Sequence, residues 1–207
     1  MSKPKLYRHA LSGHSHRVEL FLSILNLDAE LIDVDLLSGA HKQPEFLSMN
    51  RFGQVPVLED GDTILSDSNA ILVYLAKKYD PTDSWLPTDA VTAAEVQRFL
   101  SVAAGQLSSG PGAARLVNVF KAGLDHQRAL EISHQVLAIL DSHLEDRLWL
   151  VGNRPSIADL SNYAYIAHSP EGDVDLSPYA NVRDWLGRIE KLPGFTPMQA
   201  TATGLAA

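Results

Sequence analysis

Two short runs carry the groups best suited to chemistry. The first is Phe52-Gly53-Gln54-Val55-Pro56-Val57-Leu58, and the second is Ser66-Asp67-Ser68-Asn69. Proline has no amide hydrogen to give a ladder, so Pro56 belongs at an edge or a bulge. Bordering a cleft, such an edge leaves the backbone of Val55 to pair with an extended ligand, as an added strand would. The second run reads as a helix start. Free amides there attract an anion, and the Ser68 hydroxyl adds a donor. Asp67 beside it suits an ammonium group. A carboxylate site next to an ammonium site describes the end of an α-amino acid, and strand pairing at Val55 describes a peptide bond. Taken singly, Ser and Asp at a helix start are also caps, and Pro56 an edge-strand proline. The conjunction outlines a small peptide.

Other groups cluster near the N-terminus, in LYRHALSGHSHRVELFLSIL. Ser12 falls at the end of the first strand-to-helix loop, with Ser15, Tyr7, His14 and His16 nearby. Ser15 reads as the helix N-cap, Tyr7 as a packed strand residue, and the two histidines as exposed imidazoles. An HxH pair without further ligand candidates gives no metal site. The chain has no cysteine, which excludes a cysteine nucleophile, a structural disulfide and a thiolate zinc centre.

The elements that must position these residues follow from periodicity. Lys5 to Tyr7 reads as a strand, and Val18, Phe21, Leu22 and Leu25 form a helical stripe within 15–27. A second strand runs over Glu30 to Asp35, and Pro44 to Met49 forms a short helix with proline in its first turn. Val55, Val57 and Leu58 pair across an Asp60-Gly61 turn with Thr63, Ile64 and Leu65. A helix from Asp67 to Tyr79 turns Ile71, Tyr74 and Leu75 inward. The order is βαβαββα, with a crossover that favours parallel pairing of the first two strands.

Residues 81–88 are proline-bearing and aperiodic, a linker between a domain over 1–80 and an all-helical domain over 89–207. The helical part is expected at 94–120 with a break at Ser108–Gly112, then 125–147, 157–168 and 182–191, before a frayed tail. Ser156 and Asp159 have capping-box spacing, a folding element.

With 207 residues, 45% hydrophobic and 20% charged, the chain can bury a core. A formal charge of -8 argues against nucleic acid or anionic membrane as a general partner. The first ten residues have no apolar leader segment. The cytoplasm is the expected location.

GQVPVL followed by LSDSNAILVYLA, with VGNRPSIADL in the second half, resembles the cytosolic glutathione S-transferases over nearly the whole chain. The resemblance implies a thioredoxin-like first domain and an all-α second domain. It implies conjugation of glutathione, a co-substrate with no further cofactor, to small hydrophobic electrophiles. It also implies a homodimer with a detoxification role. Val55 resembles the backbone partner of the cysteinyl unit, Pro56 the family's cis-proline, and Gln54 a further glutathione contact. Ser68 resembles the serine that holds the γ-glutamyl carboxylate, with Asp67 where the commonest pattern has Glu. His41-Lys42-Gln43-Pro44-Glu45 is similar to the HKxPE stretch of phi-type members, which places His41 and Lys42 at the glycyl end. In phi-, theta- and zeta-like members the catalytic serine lies five residues before an Arg, as Ser12 does before Arg17. Ser12 is therefore the expected donor to the thiolate, with Ser15, Tyr7 (as in the tyrosine-type transferases) and a charge from His14 or His16 as its rivals. Leu11, Arg115 and Phe120 are the expected electrophile-pocket residues. A glutathione-dependent peroxidase, isomerase or dehalogenase, and a non-catalytic interaction module, are the alternatives.

Overall fold

The computed structural model describes residues 3–207. These form two compact units, one running to residue 82 and taking in 193–199, the other of 83–192 with 200–207. The segment Pro193–Gln199, expected in the helical domain, thus belongs with the first unit.

The first unit is built on a four-stranded sheet in the order β2-β1-β3-β4. β1 (Lys5–Arg8) pairs in parallel with β2 (Glu30–Asp33), as the intervening α1 (Gly13–Ile24) requires. It pairs on its other side antiparallel with β3 (Val57–Asp60), which returns as β4 (Thr63–Ser66). Leu6 lies opposite Leu58 and Tyr7 opposite Val57, so the two-residue period divides them between the two faces. Val57 joins Val34 and Phe46, with Tyr7, Met49 and Val55 against them. Phe46 comes from α2 (Pro44–Met49). Leu6 and Leu58 are fully buried on the other face. α1 and α3 (Ser68–Tyr79) pack against each other and sink Val18, Phe21, Ile71 and Leu75 completely. The expected βαβαββα order stands.

Three details differ from the sequence reading. Val55 and Pro56 precede β3 rather than lying in it, so the missing proline amide interrupts no ladder. The two-residue loop of the hairpin is Gly61-Asp62, one position later than expected, since Asp60 pairs with Thr63. Asp60 is instead a buried tie. Its Oδ2 accepts from the Tyr74 hydroxyl at 2.9 Å, Lys78 Nζ at 2.8 Å and the Tyr79 hydroxyl at 2.7 Å, which fastens the hairpin to α3.

The second unit contains no strand among the described residues. Its helices are α4 (Ala90–Ala104), α5 (Ala113–Phe120), α6 (His126–His143), α7 (Ile157–Ala167) and α8 (Ala180–Ile189). Ser108–Gly112 forms a π-helical turn carrying Pro111, the break that its glycines and proline foretell. α7 is nearly all buried. Its start is the expected capping box, in which the Ser156 amide donates to Asp159 Oδ2 and the Ala158 amide to Ser156 Oγ. Asp159 does more than close that box. Its Oδ1 also accepts from the Leu150 amide at 3.0 Å and from Trp185 Nε1 at 2.9 Å. The tail is anchored, not frayed: Thr201 donates to the buried Glu171 through its amide and hydroxyl.

Candidate functional site

The proposed peptide contacts all fall in the first unit. Ser12 is the N-cap of α1, with β-region backbone and an Oγ that accepts from the Ser15 amide at 3.2 Å. Accepting that bond leaves its own hydroxyl hydrogen to donate elsewhere. The helix N-terminus adds positive potential at the same place. The rivals are placed differently. Ser15 is wholly buried, and its Oγ accepts from the His9 amide at 3.3 Å; it is not the cap that sequence suggested. Tyr7 donates its hydroxyl to Glu59 at 3.1 Å, and burial and that carboxylate push the phenol up, the wrong direction for a group that must release or share a proton at neutral pH.

Neither histidine is an exposed imidazole. His16 is 3% exposed and sits 2.8 Å from the Thr196 carbonyl through Nε2. His14 is half-buried, with Nδ1 3.3 Å from Ser68 Oγ. Burial and the neighbouring Arg17 push its pKa down to about 3, so it is neutral at physiological pH.

α3 opens on Asp67, whose carboxylate accepts from the Ala70 amide at 2.9 Å. Its backbone, at φ 70° and ψ 119°, lies where a non-glycine residue is held only at a cost. Ser68 follows at 3% exposure. Below it lies Arg17, fully buried, whose Nη1 donates to Ser68 Oγ at 3.2 Å and to Asn69 Oδ1 at 2.9 Å. Sequence reasoning used Arg17 only as a spacing mark for Ser12. Its own place beneath the α3 start was missed, and no local signal marks a contact between residues so far apart in the chain.

The Val55–Pro56 peptide is cis. Val55 is half-buried at the border of the sheet core. Gln54 is exposed, and its carbonyl is held by Asn50 Nδ2 at 2.8 Å. His41 and Lys42 lie in a single 3-10 turn, Ala40–Lys42. Lys42 Nζ donates to the Phe52 and Gly53 carbonyls at 3.2 and 2.9 Å. Gly53 permits that approach. It has φ +57°, and a Cβ there would stand 2.7 Å from the His41 carbonyl and 2.9 Å from Lys42 Nζ.

Of the residues named for the electrophile, Leu11 is half-buried in the loop before α1, and Phe120 ends α5, also half-buried. Arg115 does not suit that role. It is 1% exposed, and its Nε donates to Glu171 at 2.7 Å in a buried ion pair that His168 and Thr201 also join. Its charge is committed to the core of the second unit. Among the described residues no group of three His, Asp or Glu could hold a metal ion.

Known proteins share both the sequence and the fold of this chain. Residues 2–77 match the family model for the glutathione S-transferase N-terminal domain, and 122–193 match that for the C-terminal domain. Glutathione S-transferase 3 of Zea mays is 34% identical, over 94% of this chain and 92% of its own. Human glutathione S-transferase theta-2 is 32% identical over 92% and 82%. A possible glutathione S-transferase of Rhodopseudomonas palustris superposes with a TM-score of 0.88 at 32% identity, over 97% of this chain and all of that one. A glutathione transferase homologue of Drosophila mojavensis, solved with bound glutathione, has a TM-score of 0.85 at 29% identity, over 93% and 90%. The chain belongs to the glutathione S-transferase family. Its first unit is the thioredoxin-like domain of that fold and its second the helical one.

Proposed function

We propose that this transferase binds glutathione along the first unit and activates its sulfur at Ser12. The tripeptide pairs with the backbone of Val55, beside Pro56 and Gln54. Its γ-glutamyl carboxylate meets the Ser68 hydroxyl and the α3 amides, and Asp67 takes the ammonium. Lys42, with His41, serves the glycyl carboxylate, where a cation gives a charge-assisted bond. The Ser12 hydroxyl donates to the thiolate, which then attacks a small hydrophobic electrophile; the serine is neither nucleophile nor base. Leu11 and Phe120 border that electrophile. No further cofactor enters the reaction, and the enzyme works in the cytoplasm. No helix among the described residues is long and apolar enough to cross a membrane.

One observation carries this reading: Ser12 caps α1 as an acceptor and so keeps its hydrogen for a ligand. Retention on immobilised glutathione, followed by conjugation to a chloro-nitroaromatic, tests it. No retention and no conjugation at millimolar glutathione would overturn it, while turnover of an organic hydroperoxide alone would favour a peroxidase.

We also propose a homodimer. A second copy would cover two bare apolar surfaces. One is Phe52, 80% exposed. The other is a cavity of about 230 Å³ lined by Phe99, Val102, Ile132, Val136 and Ile139. Phe52→Ser should shift sedimentation toward monomer at micromolar protein. An unchanged dimer would remove Phe52 from the interface.

A further inference from the structure

The Ser68 hydroxyl has one hydrogen and two lone pairs, and two side chains from α1 already reach its oxygen. Arg17 Nη1 stands 3.2 Å away and can only donate. His14 Nδ1 stands 3.3 Å away, and a neutral imidazole either donates or accepts at that atom. The choice decides what Ser68 offers a ligand. With Nδ1 bare, the serine hydrogen turns inward to His14, and a lone pair faces outward. A carboxylate arriving there would meet oxygen against oxygen. With Nδ1 protonated, both lone pairs are occupied from below, and the single hydrogen points out.

We propose that His14 is a positioning residue for glutathione binding: it donates from Nδ1 into Ser68 Oγ, beside Arg17, and so aims the serine hydrogen at the incoming carboxylate. This rests on the reading that Ser68 meets the γ-glutamyl carboxylate. The division of labour suits the local charges. Arg17, fully buried, supplies the positive charge under the site. The neutral imidazole adds a directed donor without placing a second cation next to it. His14 meets the serine proposed to hold the carboxylate, so its effect should fall on binding rather than on the chemical step.

The full-length protein labelled with 15N-histidine tests this, with the His14 signals assigned by their loss in His14→Asn. On saturation with glutathione, His14 should show a protonated Nδ1 and a bare Nε2. His14→Leu, which removes the donor, should raise the glutathione KM about tenfold with kcat within about twofold, the effect of one lost hydrogen bond. His14→Asn, whose amide can donate from a similar position, should recover most of that loss. A bare Nδ1 in the complex would overturn the proposal. So would an unchanged KM in His14→Leu, or equal losses of kcat in both variants with matched thermal unfolding. Failure of the unmodified protein to bind glutathione at all would instead overturn the binding reading itself, and is seen before any variant is made.

Discussion

Ser12→Gly separates the cap that this hydroxyl forms from the thiolate bond proposed for it. As the cap of α1, Ser12 Oγ accepts the Ser15 amide at 3.2 Å. Alanine at a cap costs about 1 kcal/mol, but glycine costs only a few tenths. In a chain of this length 1 kcal/mol moves Tm by about 2–4 °C. Ser12→Ala should therefore unfold measurably earlier, and Ser12→Gly should not. As a donor to the thiolate, the hydroxyl makes one hydrogen bond to a charged group, worth about 1.5–3 kcal/mol. Its removal destabilises the anion alone, so the thiol pKa rises by about 1–2 units toward the free value near 8.5. The acidic limb of the kcat/KM profile should move to higher pH by the same amount. At pH about 7 the rate should fall roughly ten- to a hundredfold and recover in alkali. Thiolate absorption of bound glutathione, titrated against pH, measures the shift directly, and chloro-nitroaromatic conjugation measures its consequence. Ser12→Thr keeps both functions and should restore both. A Ser12→Gly protein with the unmodified titration curve and turnover would refute the assignment and send the search to Ser15 or Tyr7.

Gly53→Ala should damage binding through Lys42: the new Cβ falls 2.7 Å from the His41 carbonyl and 2.9 Å from Lys42 Nζ, at φ +57°. A several-fold rise in glutathione KM and a loss of about 1–2 kcal/mol in urea unfolding are expected, and an unchanged KM would detach Lys42 from the site. Asp60→Asn should cost about 2 kcal/mol at neutral pH by weakening three bonds to one carboxylate. Burial pushes that carboxyl up, but hydrogen bonds from Lys78, Tyr79 and Tyr74 outweigh it and hold it below the usual range. Its contribution is therefore complete above the unfolded value near 3.9 and lost as pH falls through the lower folded one. The gap between Asp60→Asn and the unmodified protein should narrow below pH about 4 in denaturant midpoints; a constant gap would show that charge is not what stabilises the hairpin.

Periodicity located the elements because burial imposes it. Val18 and Phe21 on α1 and Ile71 and Leu75 on α3 are spaced for one apolar face, and each is fully buried. Caps were legible where side chain and backbone bond within one turn, as at Ser156, Asp159 and Asp67. Ser12 and Ser15 were exchanged as caps because both types suit the position, and only the backbone path decides which serine precedes the first helical residue. The strand was begun two residues too early, at Val55 rather than Val57, for a similar reason: apolar residues before a β-strand and within it look alike. Arg115 is a harder case. A cation in a helical segment reads as pocket or surface, and its burial depends on Glu171, 56 residues on, with no periodicity to link them.

The site shows the same limit more sharply, because its polarity is assembled by packing. Ser68 and Asp67 were visible as a helix start, and His14 and Arg17 as members of another. What distinguishes Ser68 from an ordinary first-turn serine is that α1 lies against α3 with those two residues turned to its hydroxyl, one held neutral by burial and by the other's charge. A buried guanidinium is expensive unless it is bonded, and here its bonds go to Ser68 and Asn69 at the first turn of α3. Those two bonds hold the guanidinium under the helix start, so on the proposed binding mode a carboxylate would find positive charge already placed there rather than have to organise it. Arg17→Met keeps most of the side-chain volume and removes that charge. If the prearranged cation sets the affinity, glutathione binding should weaken more in this variant than in Ser68→Ala, which removes the serine hydrogen but leaves the Arg17 charge held by Asn69. The reverse order in calorimetric titration would locate the affinity in the serine and reduce Arg17 to a structural tie.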